Sequence, residues 1–350
     1  MESRRQFIAS ALPESVRPMS RRLASARFSW AFAAMLWAGS PAEAAEPAAP
    51  GSPVKLIRNE AAGSFDFDTP VMSGSLKADG SYHGVTRLVD KRSGRQVLDA
   101  RYSALNLFRL FSVNLGMGTP RAMERKVAAT ATALEITWPA TDAHQGELTA
   151  RYEVREPDTI DLTLTLRVRG TYAGYELLLP SYFDGAMLPH VYLKRRARSV
   201  TPADVDLVVP MFNEVFRGCG LVFPRDAHAA KRPFDGRWER SEYKMSTAPF
   251  LPMRHYAHPL AFMTDPEKTF AVVLMMRAES CSAISARYFS EHAGERATTY
   301  SAFDFLVFGD DLLPGDERRA RVRLVLTPLD GGMSQPLKLH EKFLAETAPR

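Results

Sequence analysis

The sequence has few cysteines and none of the common catalytic or cofactor-binding motifs that would assign it to a protein class at once. Its 350 residues include only two cysteines, too few for the disulfide framework that holds small secreted domains together. The chain has no GxGxxG or GxxxxGK[ST] loop, and no GxSxG, HExxH or EF-hand motif. Dinucleotide-binding folds, P-loop enzymes and the common serine and metal hydrolases are therefore unsupported, and we expect no cofactor and no metal.

Long apolar runs are also scarce, and the most apolar one is short. It covers residues 28–37, follows three arginines and precedes a small-residue Ala-Glu-Ala sequence. A bilayer span needs about 20 apolar residues, whereas a shorter run with a basic start is typical of a cleavable export signal. We therefore predict a signal peptide at 1–44, a flexible tether at 45–53, and a periplasmic or secreted mature protein without a membrane span.

Positive charge is concentrated in that leader. Six arginines and three glutamates fall within residues 1–44, so the rest of the chain carries only +2 of the total net charge of +5. This balance provides no long-range field for a phosphate backbone, and we expect no nucleic-acid partner. The pair Arg4 and Arg5 fits either a twin-arginine export motif or the basic start of a general-pathway signal.

The two cysteines, Cys219 and Cys281, both follow the leader. In an oxidising compartment they could form a disulfide bond, but each lies among small or apolar neighbours, which fits two buried thiols equally well. Neither belongs to a CxxC pair or has a histidine at metal-ligand spacing. Both alternatives stay open at the level of sequence.

Alternation of apolar and polar residues is the strongest local pattern. At residues 159–169 it has period two, which predicts a strand with one buried and one solvated face. Weaker runs of the same kind occur at 82–88, 133–138, 148–154, 175–179, 205–209, 270–276, 297–308 and 319–326. Only residues 337–347 show part of a helical stripe. The pattern predicts an all-β fold, a large antiparallel β-sandwich over 54–328, followed by an extension at 329–350 with a short helix.

Two stretches give the sequence a family resemblance. Residues 121–184 contain two adjacent strands and close on Tyr-Glu-Leu-Leu-Leu-Pro-Ser-Tyr-Phe-Asp, and residues 303–316 form an apolar run that ends in Pro-Gly-Asp. In order and spacing these elements resemble the galactose mutarotase-like supersandwich superfamily. The resemblance implies an antiparallel sandwich whose concave sheet faces a carbohydrate, and a histidine and a carboxylate that act as acid and base on a sugar.

The densest group of reactive side chains is Arg254, His255, Tyr256 and His258, just before an apolar segment. Histidine can exchange protons near neutral pH, arginine can hold a carboxylate or two hydroxyls, and tyrosine can stack on a pyranose ring. The same residues would equally fit a loop at a strand entry, in which the histidines cap backbone groups. Extended backbone would point the two histidines to opposite faces, so that only one reaches a given site.

A second group combines Tyr182 and Asp184 with His190. Aromatic rings cover the apolar face of a sugar while carboxylates and imidazoles bind its hydroxyls, so this group predicts saccharide contacts. A turn with ordinary aromatic packing explains the pattern as well.

Trp238, Glu242 and Asp304 complete the set of candidates. Trp238 and Glu242 fall in a polar stretch, where exposed loop charge is the commoner explanation. Asp304 lies between two phenylalanines, so its carboxylate either points to solvent by alternation or lies in a cleft with a raised pKa.

Two functions follow from these candidates. In the first, the protein performs acid-base chemistry on a sugar, as an epimerase, lyase or glycosidase-like enzyme, with His255 or His258 paired with Glu242 or Asp304. In the second, the same fold binds a glycan or another protein without catalysis. A histidine within about 4–6 Å of a carboxylate in an open cleft would favour the enzyme, and groups on separate surfaces would favour binding.

Overall fold

The computed structural model describes residues 51–112, 117–195, 205–209, 256–287 and 300–348. All of them belong to one unit that spans residues 48–350. The described part of the chain forms eighteen strands and one α-helix, and the strands pair in antiparallel fashion. The predicted all-β fold class is therefore confirmed.

In chain order the elements are β1 (Ile57–Asn59), β2 (Ser64–Asp68), β3 (Met72–Lys77), β4 (Gly84–Asp90), β5 (Arg95–Gln96), β6 (Arg109–Phe111), β7 (Lys126–Ala129), β8 (Ala133–Trp138), β9 (Gly146–Arg155), β10 (Thr159–Val168), β11 (Tyr172–Asp184), β12 (Leu188–Lys194), β13 (Val205–Val208), β14 (Tyr256–Thr264), β15 (Phe270–Met276), β16 (Cys281–Arg287), β17 (Tyr300–Leu312), β18 (Glu317–Pro328) and α1 (Gln335–Glu346).

Three sheets make up two layers. One layer is a nine-stranded sheet in the order β13-β12-β14-β15-β18-β10-β9-β8-β7. The other combines a five-stranded sheet, β1-β2-β3-β4-β5, with a four-stranded sheet, β16-β17-β11-β6, and single bridges from Leu98 to Phe183 and from Val85 to Ala104 connect the two. The five-stranded and four-stranded sheets therefore continue into each other.

The main core lies between these layers because alternate residues of each strand turn inward. Leu162 and Leu164 of β10 are fully buried there, and so are Leu179 of β11 and Phe305 of β17. One apolar cluster contains residues of all three sheets. The alternation that the sequence shows at β10 is thus the inward and outward alternation of a sandwich strand.

Helix α1 covers part of the outer face of the nine-stranded sheet. Every residue of β15 is buried, because Val272 and Leu274 face the main core while Val273 and Met275 face a second apolar cluster. Phe343 of the helix is fully buried in that second cluster. None of the helices in the described residues has the length and apolarity that a membrane crossing requires.

Candidate functional site

Four tyrosines, Tyr82, Tyr102, Tyr182 and Tyr300, pack ring against ring at one end of the four-stranded sheet. We call them the tyrosine cluster. Their ring centroids are 4.9 Å apart for Tyr82 and Tyr102, 4.9 Å for Tyr102 and Tyr182, and 5.0 Å for Tyr182 and Tyr300. These tilted and edge-on contacts are the arrangements that aromatic rings prefer. Each ring keeps part of its surface exposed.

Strand alternation places this cluster on the outer face of the sheet. Phe303 and Phe305 of β17 enter the main core, so Ala302 and Asp304 stand on the opposite face. Tyr182 of β11 pairs with Ala302 and therefore shares that outer face. Tyr300 begins β17 on the same side, while Tyr82 and Tyr102 come from the segments that flank the five-stranded sheet.

Asp304 stands next to the cluster and is only 5% exposed. Burial raises the pKa of the Tyr182 phenol, and the negative charge of Asp304 raises it further. Tyr182 therefore keeps its proton at neutral pH and can donate a hydrogen bond.

Arg121 closes one side of the cluster. Its guanidinium carbon lies 4.1 Å from the ring centroid of Tyr82 and 3.9 Å from that of Phe108, so the planar group is held between two aromatic rings. Its Nε and Nη2 atoms are buried and form no hydrogen bond to any residue that the structure describes. These two atoms form the edge of the guanidinium that binds carboxylates in a bidentate way.

Asn106 lies on the same face, two residues before Phe108. The backbone N–H groups of Asn106 and Phe108 donate to the carbonyls of Pro180 (3.1 Å) and Leu178 (3.0 Å), so this segment extends alongside β11. Leu105 and Leu107 belong to the main core, and Asn106 therefore faces outward. Its side chain is fully buried, yet neither amide atom has a partner within the described ranges.

The segment that carries Tyr102 and Asn106 is fixed by His83. The His83 Nε2 atom accepts the Leu107 N–H at 3.0 Å, and the Ser103 hydroxyl donates to the His83 carbonyl at 2.7 Å. Burial, together with the nearby cations Arg125 and Arg121, lowers the pKa of His83 to about 3. The imidazole is therefore neutral and holds the segment in place.

An open cleft of about 530 Å³ borders the cluster, within the range of about 300–1,000 Å³ usual for small-ligand sites. Tyr82, Tyr102 and Arg101 line it. Polar residues of the five-stranded sheet line it as well, namely Asn59, Ser64, Asp66, Ser75, Lys77, Thr86 and Arg87.

Asp66 is the centre of a hydrogen-bond network in that cleft. Its carboxylate accepts bonds from Ser75 (2.7 Å), Asn59 (3.0 Å) and Ser64 (3.1 Å). Burial acts to raise the pKa of Asp66, but these bonds and the charge of Arg87 outweigh it, so the pKa lies below its ordinary value. Asp66 is therefore an ionised acceptor at neutral pH and not a proton donor.

The arrangement combines aromatic rings with fixed donors and acceptors, which is the chemistry that binds polyhydroxylated rings. No group of three or more histidine, cysteine, aspartate or glutamate side chains within the described part of the chain could hold a metal ion.

The structure does not bring His258 and Asp304 together. His258 lies on β14 of the nine-stranded sheet, and its ring is 5.3 Å from that of His340 in α1. Asp304 lies on the outer face of the four-stranded sheet. The main core separates the two surfaces, so these two residues do not form the predicted acid-base pair.

The second predicted group is also divided. Tyr182 belongs to the tyrosine cluster, whereas Asp184 accepts the Ala186 N–H at 2.9 Å and so stabilises the turn after β11. His190 is fully buried in β12 and stacks on Phe262, with ring centroids 4.9 Å apart. Burial lowers the pKa of His190 to about 4. The ring of His190 is thus buried against Phe262, and its role in substrate binding stays a prediction.

The remaining candidates fall elsewhere. Trp238, Glu242, Arg254 and His255 lie outside the described residues, as does Cys219, so the disulfide prediction stays a prediction. Of Tyr256 the structure describes the backbone, at the start of β14.

Sequence reasoning missed Tyr82, Tyr102, Asn106 and Arg121. Each stands alone in its local sequence, and no spacing connects them. One signal could have helped for Arg121 and Tyr82, since both lie near turn sequences that border strands, where ligand-binding residues are common.

No family model and no curated protein matches the chain in sequence. Solved structures resemble it. They include the Slr1438 protein of Synechocystis sp. PCC 6803, at 12% identity and a TM-score of 0.46, covering 82% of this chain and 99% of that one.

Two others have names that refer to sugar epimerases. A putative aldose 1-epimerase from Escherichia coli K12 has 8% identity and a TM-score of 0.48, covering 76% of this chain and 99% of that one. A GalM/aldose epimerase homologue from C. elegans has 10% identity and a TM-score of 0.42, covering 80% and 100%. Similarity at this level does not indicate which reaction, if any, a protein catalyses. The chain is an antiparallel β-sandwich.

Proposed function

We propose that the protein binds a saccharide at the tyrosine cluster and in the adjoining cleft. The observation that carries this proposal is that Tyr82 and Tyr102, packed ring against ring, and the fixed carboxylate of Asp66 line the same cleft. Aromatic faces cover the apolar side of a sugar ring, and a carboxylate that cannot rotate freely binds its hydroxyls. The predicted export signal supports a periplasmic or secreted location, in which a glycan would be met outside the cytoplasm.

Binding without catalysis is favoured over acid-base chemistry. The described histidine and carboxylate candidates, His258 and Asp304, lie on different surfaces. Asp66, which does line the cleft, has a lowered pKa and stays ionised. A general acid would need a pKa near the working pH.

The test is saccharide binding by Tyr102→Ala, measured by calorimetry on ligands selected from a glycan array. We expect a loss of affinity of about twofold to tenfold, because one aromatic contact contributes about 0.5–1.5 kcal/mol. Tyr102→Phe is the matched control, since it keeps the ring and should keep most of the affinity. An array without any retained glycan would contradict the proposal, and so would full affinity in Tyr102→Ala.

A catalytic role for Asp304 is the second candidate. Its carboxylate is only 5% exposed and stands beside the Tyr182 phenol, on the face where the saccharide would lie. Its partner would have to be His255 or Glu242. Asp304→Asn should then abolish turnover of a bound saccharide while leaving its affinity nearly unchanged. Equal turnover in Asp304→Asn and wild type would remove this candidate.

A further inference from the structure

We propose that Arg121 and Asn106 form a subsite for the carboxylate of an acidic saccharide. This inference rests on the proposed function and names the class of ligand, a sugar that carries a uronic acid group.

The guanidinium group of Arg121 is held in one orientation, with one of its edges unpaired. The rings of Tyr82 and Phe108 hold the guanidinium plane from both sides, at 4.1 and 3.9 Å, and so fix its direction. The edge made of Nε and Nη2 is buried, and no carboxylate of the described residues forms an ion pair or a hydrogen bond with it. Buried donor atoms without a partner are costly, and such atoms are rare in folded proteins outside functional sites.

Asn106 is the second, independent observation. Its side chain is fully buried, and both the amide nitrogen and the amide oxygen are without partners within the described ranges. It stands on the same face as Phe108, on which Arg121 stacks. The unpaired amide of Asn106 and the unpaired guanidinium edge of Arg121 thus lie at neighbouring positions on one face of the sheet.

The charges that line the adjoining cleft also favour an anion. Arg101 is paired with Asp99 at 3.0 Å, which leaves Lys77 and Arg87 facing the single carboxylate of Asp66 in the cleft. The guanidinium of Arg121 adds a further positive charge close by. A carboxylate fits its planar edge with two parallel hydrogen bonds, whereas a neutral hydroxyl would leave one donor unpaired.

The experiment compares oligosaccharides that differ only in the acid group. Fragments of pectate, alginate and heparosan are titrated into the full mature protein by calorimetry, each beside its carboxyl-reduced neutral counterpart. We expect wild type to bind at least one acidic fragment about tenfold or more tightly than its reduced form. Arg121→Lys, which keeps the charge but loses the bidentate edge, should remove most of that difference.

Arg319→Lys is the matched control, because Arg319 is 70% exposed on β18 and should bind like wild type. An unchanged unfolding midpoint of Arg121→Lys shows that lost binding is not lost folding, and Asn106→Ala provides a second variant with the same expected loss of preference.

The possible outcomes separate the two proposals. Equal affinity for acidic and reduced fragments, or an undiminished preference in Arg121→Lys, overturns the carboxylate subsite and leaves saccharide binding standing. A preference for sulfated galactan fragments over every uronic fragment overturns the carboxylate assignment in favour of a sulfate ester. Failure of all acidic, reduced and neutral probes to bind overturns both.

Discussion

At the scale of single residues, buried polar groups without partners stand out because they cost stability. Asn106 is fully buried, and neither amide atom bonds to a residue that the structure describes. Burying an amide without compensation costs about 1–3 kcal/mol in protein experiments. The neighbouring backbone does not share this cost, since the Asn106 N–H reaches the Pro180 carbonyl at 3.1 Å.

Replacing Asn106 by leucine should therefore stabilise the unliganded protein. The side chains are similar in size, and the change removes the uncompensated amide, so we expect the free energy of unfolding to rise by about 1 kcal/mol or more. Urea unfolding of the purified protein measures this. Asn106→Asp is the control and should destabilise, because it buries a charge. A destabilised Asn106→Leu would mean that the amide has a stabilising role in the unliganded fold.

At the scale of elements, helix α1 explains why the middle of the nine-stranded sheet is apolar on both faces. Phe343 lies under the helix with β14, β15 and β18 residues around it. Arg323 of β18 connects the helix to the sheet, since it binds the Asp161 carboxylate through two nitrogens at 2.7 and 3.0 Å and also reaches Glu346 of α1. The helix thus replaces solvent as the cover of these strands.

Phe343→Ala should destabilise the protein strongly. The ring is fully buried, and removing a core phenylalanine typically costs about 3–5 kcal/mol through lost burial and the cavity left behind. Lys338→Ala on the same helix is the control, because the Lys338 side chain is 65% exposed and should change stability by less than about 0.5 kcal/mol. Chemical unfolding of both variants gives the comparison. Similar stabilities of the two variants would argue that the helix is not packed on the sheet.

At the scale of the whole molecule, burial suppresses the charge of several histidines. Burial lowers the pKa of His83 to about 3 and those of His144, His190 and His340 to about 4. Above about pH 6.5 these groups are neutral in both the folded and the unfolded chain. Below that pH the unfolded chain binds protons that the folded chain does not, so stability falls as the pH drops from about 6.5 towards 4.

The protein should consequently lose stability steeply on mild acidification. At about pH 5 each of these histidines should cost on the order of 2 kcal/mol relative to neutral pH. Urea unfolding from pH 7 to pH 5 measures the loss. His190→Phe, which keeps the stacking on Phe262, should show a smaller loss over the same range. An unfolding free energy that does not change between pH 7 and pH 5 would contradict the burial of these rings.

Long strands with regular alternation could be predicted from the sequence. The structure places strands at residues 133–138 and 270–276, with the predicted bounds, and extends the predicted runs at β9, β11 and β18 at both ends. Strand β10 ends one residue before its predicted run, and β17 continues four residues beyond the end of its run. The short strands β2 and β3 were missed. In β3, Gly74 interrupts the pattern because its bare backbone lies under the ring of Phe67, a contact between strands that local sequence does not show.

The candidate site was predictable only in part. Tyr182 and Asp304 lie in long strands, and the sequence singled out both as candidate site residues. Tyr82, Tyr102, Asn106 and Arg121 come from separate segments, so their meeting depends on how the five-stranded and four-stranded sheets join. His190 and His258 have aromatic and charged neighbours in sequence, which suggested a binding site. In the structure, His190 of β12 stacks on Phe262, and His258 of β14 lies next to His340 of α1.

The sequence by itself determined the class of fold, because period-two alternation leaves one face of each strand apolar and a sandwich is how such faces are buried. It also determined the charge balance of the chain. Only the tertiary structure decided which polar and aromatic side chains share a surface. Strand order and register bring together residues far apart in the chain, and these depend on packing across all three sheets.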